Sequence, residues 1–153
     1  MRRYHLLACA VAIAGLLGCR DAQVDAVPTV AAVAEVTPRA WAMDEESRTA
    51  FDGRSLFDII NGAAETYTAH GVNAGVHQVL TDTAGHRVES FLFVVPDAER
   101  GGQLLESLRT QVSGVRPFSP TADTSDFAAQ MGSACAVYLQ FKTLVVELHM
   151  SGF

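Results

Sequence analysis

The stretch GVHQVLTDTAGHRVESFLFVV, residues 75–95, decides the fold because it reads as two strands joined by a tight turn. In residues 75–82 Val76 and Leu80 alternate with His77 and Val79, whereas residues 87–95 are rich in β-branched and aromatic side chains. The connection TAGH carries Gly85 and favours a hairpin. We therefore predict an antiparallel pair of strands as the first part of a sheet.

A helix and two more strands are predicted after this hairpin. Pro96 ends the second strand, and Asp97 is placed to cap a helix that runs to about Val112. The apolar stripe of that helix is Leu104, Leu105, Leu108 and Val112. ACAVYLQF (134–141) and TLVVELHM (143–150) read as strands with a tight turn around Lys142 and Thr143.

The remaining segment, residues 113–133, reads as a long polar loop, and loops of this length are often functional. The order of elements predicts an α+β fold, a mostly antiparallel sheet of about four strands with two main helices on one face. We expect residues 41–153 to form a single domain.

The second main helix is predicted within DIINGAAETYTAHG, residues 58–71. Apolar residues recur at a spacing of three to four from Leu56, and Gly71 is a helix stop. A glycine inside a helix costs about 1 kcal/mol relative to alanine. We therefore predict that Asn61-Gly62 separates two short helical pieces, that Asn61 caps the second, and that Glu65 anchors the turn by accepting hydrogen bonds from backbone amides.

The N-terminus carries an export signal. Arg2 and Arg3 precede an apolar run from Leu6 to Gly18, which as a helix spans about 20 Å, short of the ~30 Å core of a bilayer. LLGC, residues 16–19, resembles the lipobox of bacterial lipoproteins. The resemblance implies removal of residues 1–18, a diacylglyceryl thioether on Cys19 and acylation of its new amino group.

The processed chain differs from the precursor in charge and thiol content. Loss of Arg2 and Arg3 takes the formal charge from −6 to −8, which disfavours nucleic acid as a partner. Cys9 leaves with the signal and Cys19 is acylated, so Cys135 has no partner for an intrachain disulfide. In its apolar surroundings Cys135 is predicted to be an inert thiol.

Residues 19–40 are interpreted as the lipidated cysteine and a flexible tether. The segment is rich in small side chains and contains Pro28 and Pro38, so it buries little apolar surface. Arg20 stands where an aspartate would indicate retention in the inner membrane. We therefore expect a protein held in the envelope by its N-terminal lipid, facing the periplasm, with the outer membrane favoured.

IINGAAETYTAHGV, residues 59–72, resembles the signature of a family of exported bacterial proteins of unknown function with a Y-I-N-G-G-A-E-x-Y-like motif. The matching positions are Ile60, Asn61, Gly62, Ala64, Glu65, Tyr67 and Gly71. Ile59 and Ala63 depart from the pattern. The resemblance extends loosely from Leu56 to Val112, and it supplies no catalytic residues. Domains that resemble this one often continue beyond the strand at which this sequence stops, so the resemblance allows for a last helix that residues 41–153 lack.

Asn61, Gly62, Glu65, Tyr67 and His70 therefore form a candidate motif with two interpretations. An amide and a carboxylate four residues apart could orient a ligand, or they could satisfy backbone groups of neighbouring turns. The structural interpretation is favoured because no second acid, serine or histidine stands at a spacing that requires catalysis. His70 lies about 140° around a helix from Glu65, which disfavours a shared metal.

A second candidate group lies on the strands. Glu147 and His149 point the same way, and with His77 or Glu89 they could form a divalent-metal cluster. A solvated outer sheet face explains the same residues and is favoured, so neither a metal nor a cofactor is predicted. The leading hypothesis is a non-enzymatic binding or accessory module that binds an envelope protein or another envelope component through the sheet face or the loop at residues 113–133. The alternative is a small periplasmic enzyme or metal-binding protein that uses Asn61, Glu65 and a histidine.

Overall fold

The computed structural model describes residues 37–60, 62–118 and 126–153. Its strands are β1 (Trp41–Asp52), β2 (Ala74–Asp82), β3 (Arg87–Val94), β4 (Arg116–Pro117), β5 (Phe127–Met131), β6 (Ala134–Phe141) and β7 (Leu144–Ser151). Its helices are α1 (Leu56–Ile59), α2 (Ala64–Ala69) and α3 (Ala98–Gln111). The predicted signal, Cys19 and Asn61 lie outside the described residues, as does the tether up to residue 36.

The predicted sheet of about four strands with two main helices is wrong. The described residues form one seven-stranded sheet in the order β1-β2-β3-β7-β6-β5-β4, and every neighbouring pair is antiparallel. Three helices accompany it, since the predicted helix around residue 61 is two short pieces. The four predicted strands are the central ones, β2, β3, β6 and β7.

Helix α3 carries the chain from the middle of the sheet to its far side. After β3 the chain passes through α3 to the edge strand β4, and β5, β6 and β7 then return until β7 pairs with β3. As predicted, Asp97 caps this helix, and its side chain accepts a hydrogen bond from the backbone N–H of Arg100 at 2.8 Å. The crossover places α3 against β6 and β7.

Strand β1 escaped prediction because its side chains do not alternate. Most of them are exposed or half-buried, and the pairing with β2 shifts register between Asp44 and Thr49. Within that bulge the Ser47 hydroxyl accepts a hydrogen bond from the backbone N–H of Val79 at 2.8 Å. Charged residues and a bulge are typical of an edge strand, because they prevent pairing with another sheet.

The predicted polar loop at residues 113–133 is also wrong in its described parts. Residues 119–125 lie outside the described part of the chain. The residues before and after them pair with each other as β4 and β5. β4 has only two residues, one of them Pro117, which cannot donate to a further strand. Strands this short and this poor in β-branched residues give little periodic signal.

The two sides of the sheet carry separate apolar clusters. The first cluster lies on the helix side and includes Leu56, Tyr67, Phe93, Leu104, Leu105, Leu108, Phe127, Tyr138 and Val145. The second cluster lies on the opposite side and consists of Val76, Val88, Leu92, Val137, Leu139, Leu144, Val146, Leu148 and Met150. Every buried helix side chain named in these clusters belongs to the first.

Glycine conformation explains how α1 and α2 are separated and how α2 ends. Gly62 has φ +79° and Gly71 has φ +82°, values that side chains rarely tolerate. The break in the helix and the stop at Gly71 are confirmed. The N-cap position of α2 is Ala63, without a side-chain hydrogen bond, so the predicted capping residue does not stand there. Among the described residues, no helix has the length and apolar character required to cross a bilayer.

Candidate functional site

Glu147 is the most deeply buried acidic side chain among the described residues, with 6 % of its surface exposed. Its Oε2 accepts a 2.6 Å hydrogen bond from the hydroxyl of Tyr67, and its Oε1 lies 2.6 Å from Nε2 of His149. Tyr138 stands directly opposite Glu147 in the β6–β7 register. We refer to Tyr67, Tyr138, Glu147 and His149 as the Glu147 cluster.

Helix α2 brings Tyr67 onto the sheet. Its buried residues are Ala64 and Tyr67, and the tyrosine ring lies 4.5 Å from the ring of Phe93. The tight turn after α2 depends on Gly71, where an added Cβ would lie 2.8 Å from Cγ of Pro96. The helix therefore packs on the sheet through one aromatic side chain whose polar end reaches the buried carboxylate.

The environment of the cluster keeps both tyrosines protonated. Burial, followed by the negative charge of Glu147, raises the pKa of Tyr67 far above its usual range. The same causes in the same order raise the pKa of Tyr138. A protonated phenol can donate to a carboxylate, so the tyrosines compensate part of the desolvation of the Glu147 charge.

The pKa of His149 is set by opposing effects. Burial lowers it, but the hydrogen bond to Glu147 and the negative charges of Glu147 and Glu89 together outweigh burial, and the net shift is upward. The imidazolium form is therefore favoured beside Glu147. Because 29 % of the His149 side chain is exposed, its ring lies where the buried cluster meets solvent.

A second histidine–carboxylate pair lies on the neighbouring strands. His77 Nε2 is 2.9 Å from Oε1 of Glu89, and these side chains are 18 % and 28 % exposed. Phe91 stands between the two pairs, with its ring 4.6 Å from that of His77 and 5.6 Å from that of His149. Both pairs therefore share one part of the helix-side face, which we call the histidine patch: His77, Glu89, Phe91 and His149.

The interpretation of the strand residues as a solvated outer face is wrong for Glu147, which is buried, whereas 29 % of the His149 side chain is exposed. They lie on the helix side, where α2 covers Glu147 through Tyr67. The prediction that Glu147 and His149 point the same way is confirmed, and the registers that pair Glu89 with His149 and His77 with Phe91 bring His77 and Glu89 to the same face. Across the described ranges, no group of three or more histidine, cysteine or acidic residues is arranged to hold a metal ion.

The residues of the candidate motif do not form one site in the structure. Tyr67 joins the Glu147 cluster, and Gly62 supplies the turn before α2. Glu65 is exposed, and its carboxylate has no hydrogen bond to the described residues, so its predicted role as an anchor of the turn is wrong. His70 lies elsewhere, at the end of α2. Its Nε2 is 2.8 Å from the hydroxyl of Ser107, and this contact connects α2 to α3.

Tyr138 was missed by the sequence analysis, although a signal for it exists. A tight turn at residues 142–143 pairs Phe141 with Leu144, and continuing that register pairs Tyr138 with Glu147. Directly opposite side chains in an antiparallel pair are close enough to interact. The sequence of this apolar hairpin therefore indicates that Tyr138 faces Glu147 as a buried polar pair.

Comparisons with protein-family models and with curated protein sequences find no match for this chain. A search of solved structures finds similarity to the extracellular domain of PknH from Mycobacterium tuberculosis. The two are 12 % identical, the alignment covers 73 % of this chain and 71 % of the other, and the TM-score is 0.46. A TM-score at this level transfers neither a fold assignment nor a function to this chain.

Proposed function

We propose that the mature chain is a lipid-anchored accessory domain of the bacterial envelope, facing the periplasm, that binds a partner and does not catalyse a reaction. The lipobox-like LLGC at residues 16–19 and the basic, then apolar, segment before it support the anchor. Arg20 after the cysteine favours the outer membrane. Two or more acyl chains on Cys19 give a stable anchor, because a single chain binds only marginally.

The observation that carries the binding assignment is the use of both Glu147 oxygens inside the fold. One accepts from Tyr67 and the other lies at hydrogen-bond distance from His149, so this carboxylate joins α2 and β7. A buried charge with these bonds is satisfied by its protein neighbours and is costly to separate from them. Its role is therefore to hold α2 on the sheet and shape the surface beside it.

The histidine patch is the surface that we assign to recognition. It offers the partly exposed side chains of His77, Glu89 and His149 on adjacent strands of a rigid sheet. The mature chain has a formal charge of −8, and the partly exposed carboxylate of Glu89 in the patch has the same sign. A basic segment of an envelope protein is the partner that these charges favour.

A second candidate function follows from one specific contact. An imidazole oriented by a buried carboxylate is also the arrangement of many general bases, and His149 is so placed by Glu147. Acid–base catalysis in the periplasm would then use His149 in place of Asn61 and Glu65. This candidate requires a substrate group at the exposed side of the His149 ring.

Site-specific photocrosslinking in cells separates the two candidates. A benzophenone side chain at position 87, which flanks the patch and whose native side chain is 50 % exposed, is compared with one at position 106, an exposed site on α3 whose side chain is 70 % exposed. We expect a discrete protein adduct from position 87 alone, reduced by charge reversal in Glu89→Lys, because a lysine there repels a basic partner. No adduct from position 87, together with an envelope-substrate turnover that His149→Gln abolishes, would contradict binding and favour catalysis.

A further inference from the structure

The face of the sheet opposite the helices is apolar and buried. The nine members of the second cluster come from four neighbouring strands, β2, β3, β7 and β6, and each is at most 8 % exposed. A sheet face of this kind must pack against another layer of the protein. The three described helices contribute their buried side chains to the other face.

Four partly buried side chains of the described residues pack against the second cluster. They are Trp41, Phe118, Ala128 and Cys135. They lie toward the margins of the sheet, since Trp41 begins the edge strand β1 and the others lie on β5, on β6 and directly after β4. At the β4–β6 margin an apolar groove of about 270 Å³ stays open. These marginal contacts leave the centre of the face, around Leu92 and Leu148, in need of a cover.

A buried polar atom on the same face points to a hydrogen-bonding cover. Gln78 follows Val76 on this side of β2, is 3 % exposed and stands opposite Ser90, which is 4 % exposed. Within the described residues, Oε1 of Gln78 has no hydrogen-bond partner. A buried amide oxygen without a partner is destabilising, and a backbone N–H crossing the face would satisfy it.

The chain enters the domain on this face. Trp41 packs against the second cluster, and its backbone N–H donates to the carbonyl of Pro38 at 3.1 Å. Residues 20–36 precede this point directly. A segment tethered to the rim of an apolar face has a high effective concentration there, which favours it over a free partner.

The preceding segment carries a regular apolar pattern. Valine occupies every third position in VDAVPTVAAVAEV, at Val24, Val27, Val30, Val33 and Val36. In a backbone with about three residues per turn these side chains fall on one side, and Asp25 and Glu35 fall elsewhere. At ~3.1 Å per residue the stripe is ~37 Å long, and six strand spacings of ~4.8 Å give a sheet ~29 Å wide.

We propose that residues 24–36 dock across the second cluster and place this valine stripe on the centre of the sheet face. If Cys19 is lipidated, as the proposed function has it, only residues 20–23 remain as a spacer. Four residues span at most ~14 Å, so docking holds the domain close to the membrane surface. The docking itself does not depend on lipidation, and its test uses the unlipidated chain.

Paramagnetic relaxation tests the docking on residues 19–153 carrying Cys19→Ser and Cys135→Ser. A nitroxide is attached to Ala31→Cys, which is next to the stripe and not in it. We expect the methyl signals of Leu148 and Met150 to broaden, and Val33→Asp to remove the broadening. Absence of broadening with the native valine in place would overturn the proposal.

Two controls distinguish docking of residues 24–36 within one chain from other ways of covering the face. Mixing a spin-labelled chain with an isotope-labelled chain detects contact between copies, and broadening in that mixture alone would assign the face to a second copy and overturn the proposal. Trp41 is the only tryptophan and reports on the rim of the face. Its emission should shift to the red in Val33→Asp and stay unchanged in Ala32→Asp, and equal behaviour of the two variants would contradict a stripe-specific contact.

Discussion

The hydroxyl of Tyr67 donates a 2.6 Å hydrogen bond to the buried carboxylate of Glu147, and this bond joins residues 80 positions apart. It connects a six-residue helix to a central strand of the sheet. A helix this short has little stability of its own. Its position therefore depends on tertiary contacts, of which Tyr67 makes the one to the buried carboxylate and His70 makes one to α3.

Removal of the Tyr67 hydroxyl should destabilise the protein. In Tyr67→Phe the Glu147 carboxylate stays buried with one partner fewer, and a hydrogen bond to a charged group contributes about 1.5–3 kcal/mol. Urea unfolding should show a loss of this size. The matched control is Glu65→Gln on the exposed side of the same helix, which should change stability by less than about 0.5 kcal/mol. Equal effects of the two variants would show that the bond does not hold α2.

Stability should depend on pH through His149. Its pKa is raised in the folded state, so its contribution is complete below the unfolded value of about 6.5 and is lost as the pH rises through the raised value. The free energy of unfolding should therefore fall above pH 6.5, and this part of the fall should be absent in His149→Gln. An NMR titration midpoint for His149 at or below 6.5 would contradict the assigned cause.

Two adjacent glycines in α3 should respond oppositely to alanine. A Cβ at Gly101 would lie 2.5 Å from Nε2 of Gln140, which donates to the carbonyls of Ala98 and Lys142. Gly101→Ala should displace that side chain and destabilise the fold. At Gly102 the nearest atom is 3.7 Å away, so Gly102→Ala should stabilise by about 0.5–1 kcal/mol. Thermal melting of both variants checks this, and destabilisation by Gly102→Ala would show that α3 approaches the sheet more closely.

The start of α3 depends on Asp97. Its carboxylate accepts the hydrogen bond from the backbone N–H of Arg100, so Asp97→Ala should reduce stability by about 1 kcal/mol. Asp97→Asn preserves the acceptor and should have a much smaller effect. Chemical denaturation of the pair distinguishes capping from a general effect of the lost charge, since the latter would affect both variants equally.

The sequence predicts the central strands and α3 because their patterns are local. Alternation in residues 75–82, the Asp97 cap and the glycine in the 83–86 turn all agree with the structure. Prediction failed at the edges of the sheet. β1 has a bulge and charged side chains, and β4 has two residues, so their pairing is determined by the tertiary structure.

The candidate site was predictable only in part. The shared face of Glu147 and His149 follows from their spacing, whereas the burial of Glu147 depends on the position at which α2 packs on the sheet. Tyr67 was selected within a motif and not for its contact, because residues 80 positions apart carry no local signal of proximity. Glu65 appeared significant in the same motif and is exposed, since a short helix presents its sides to different surroundings.

Replacement of the lipobox cysteine should leave the protein without lipid and with its leader uncleaved. In Cys19→Ala the thiol that carries the diacylglyceryl group is absent, so neither the thioether nor cleavage at this position should occur. Fractionation should recover this variant with its leader still attached, and Cys9→Ala should process as the native chain does. Native processing of both variants would contradict a role for Cys19.

Intact mass measurement of the chain extracted from membranes tests the envelope assignment most directly. A lipid-anchored accessory protein predicts a species that begins at Cys19 and carries the added mass of a diacylglyceryl group and an amide-linked acyl chain. A mature chain that begins at another residue, or that begins at Cys19 without added lipid, would contradict the assignment.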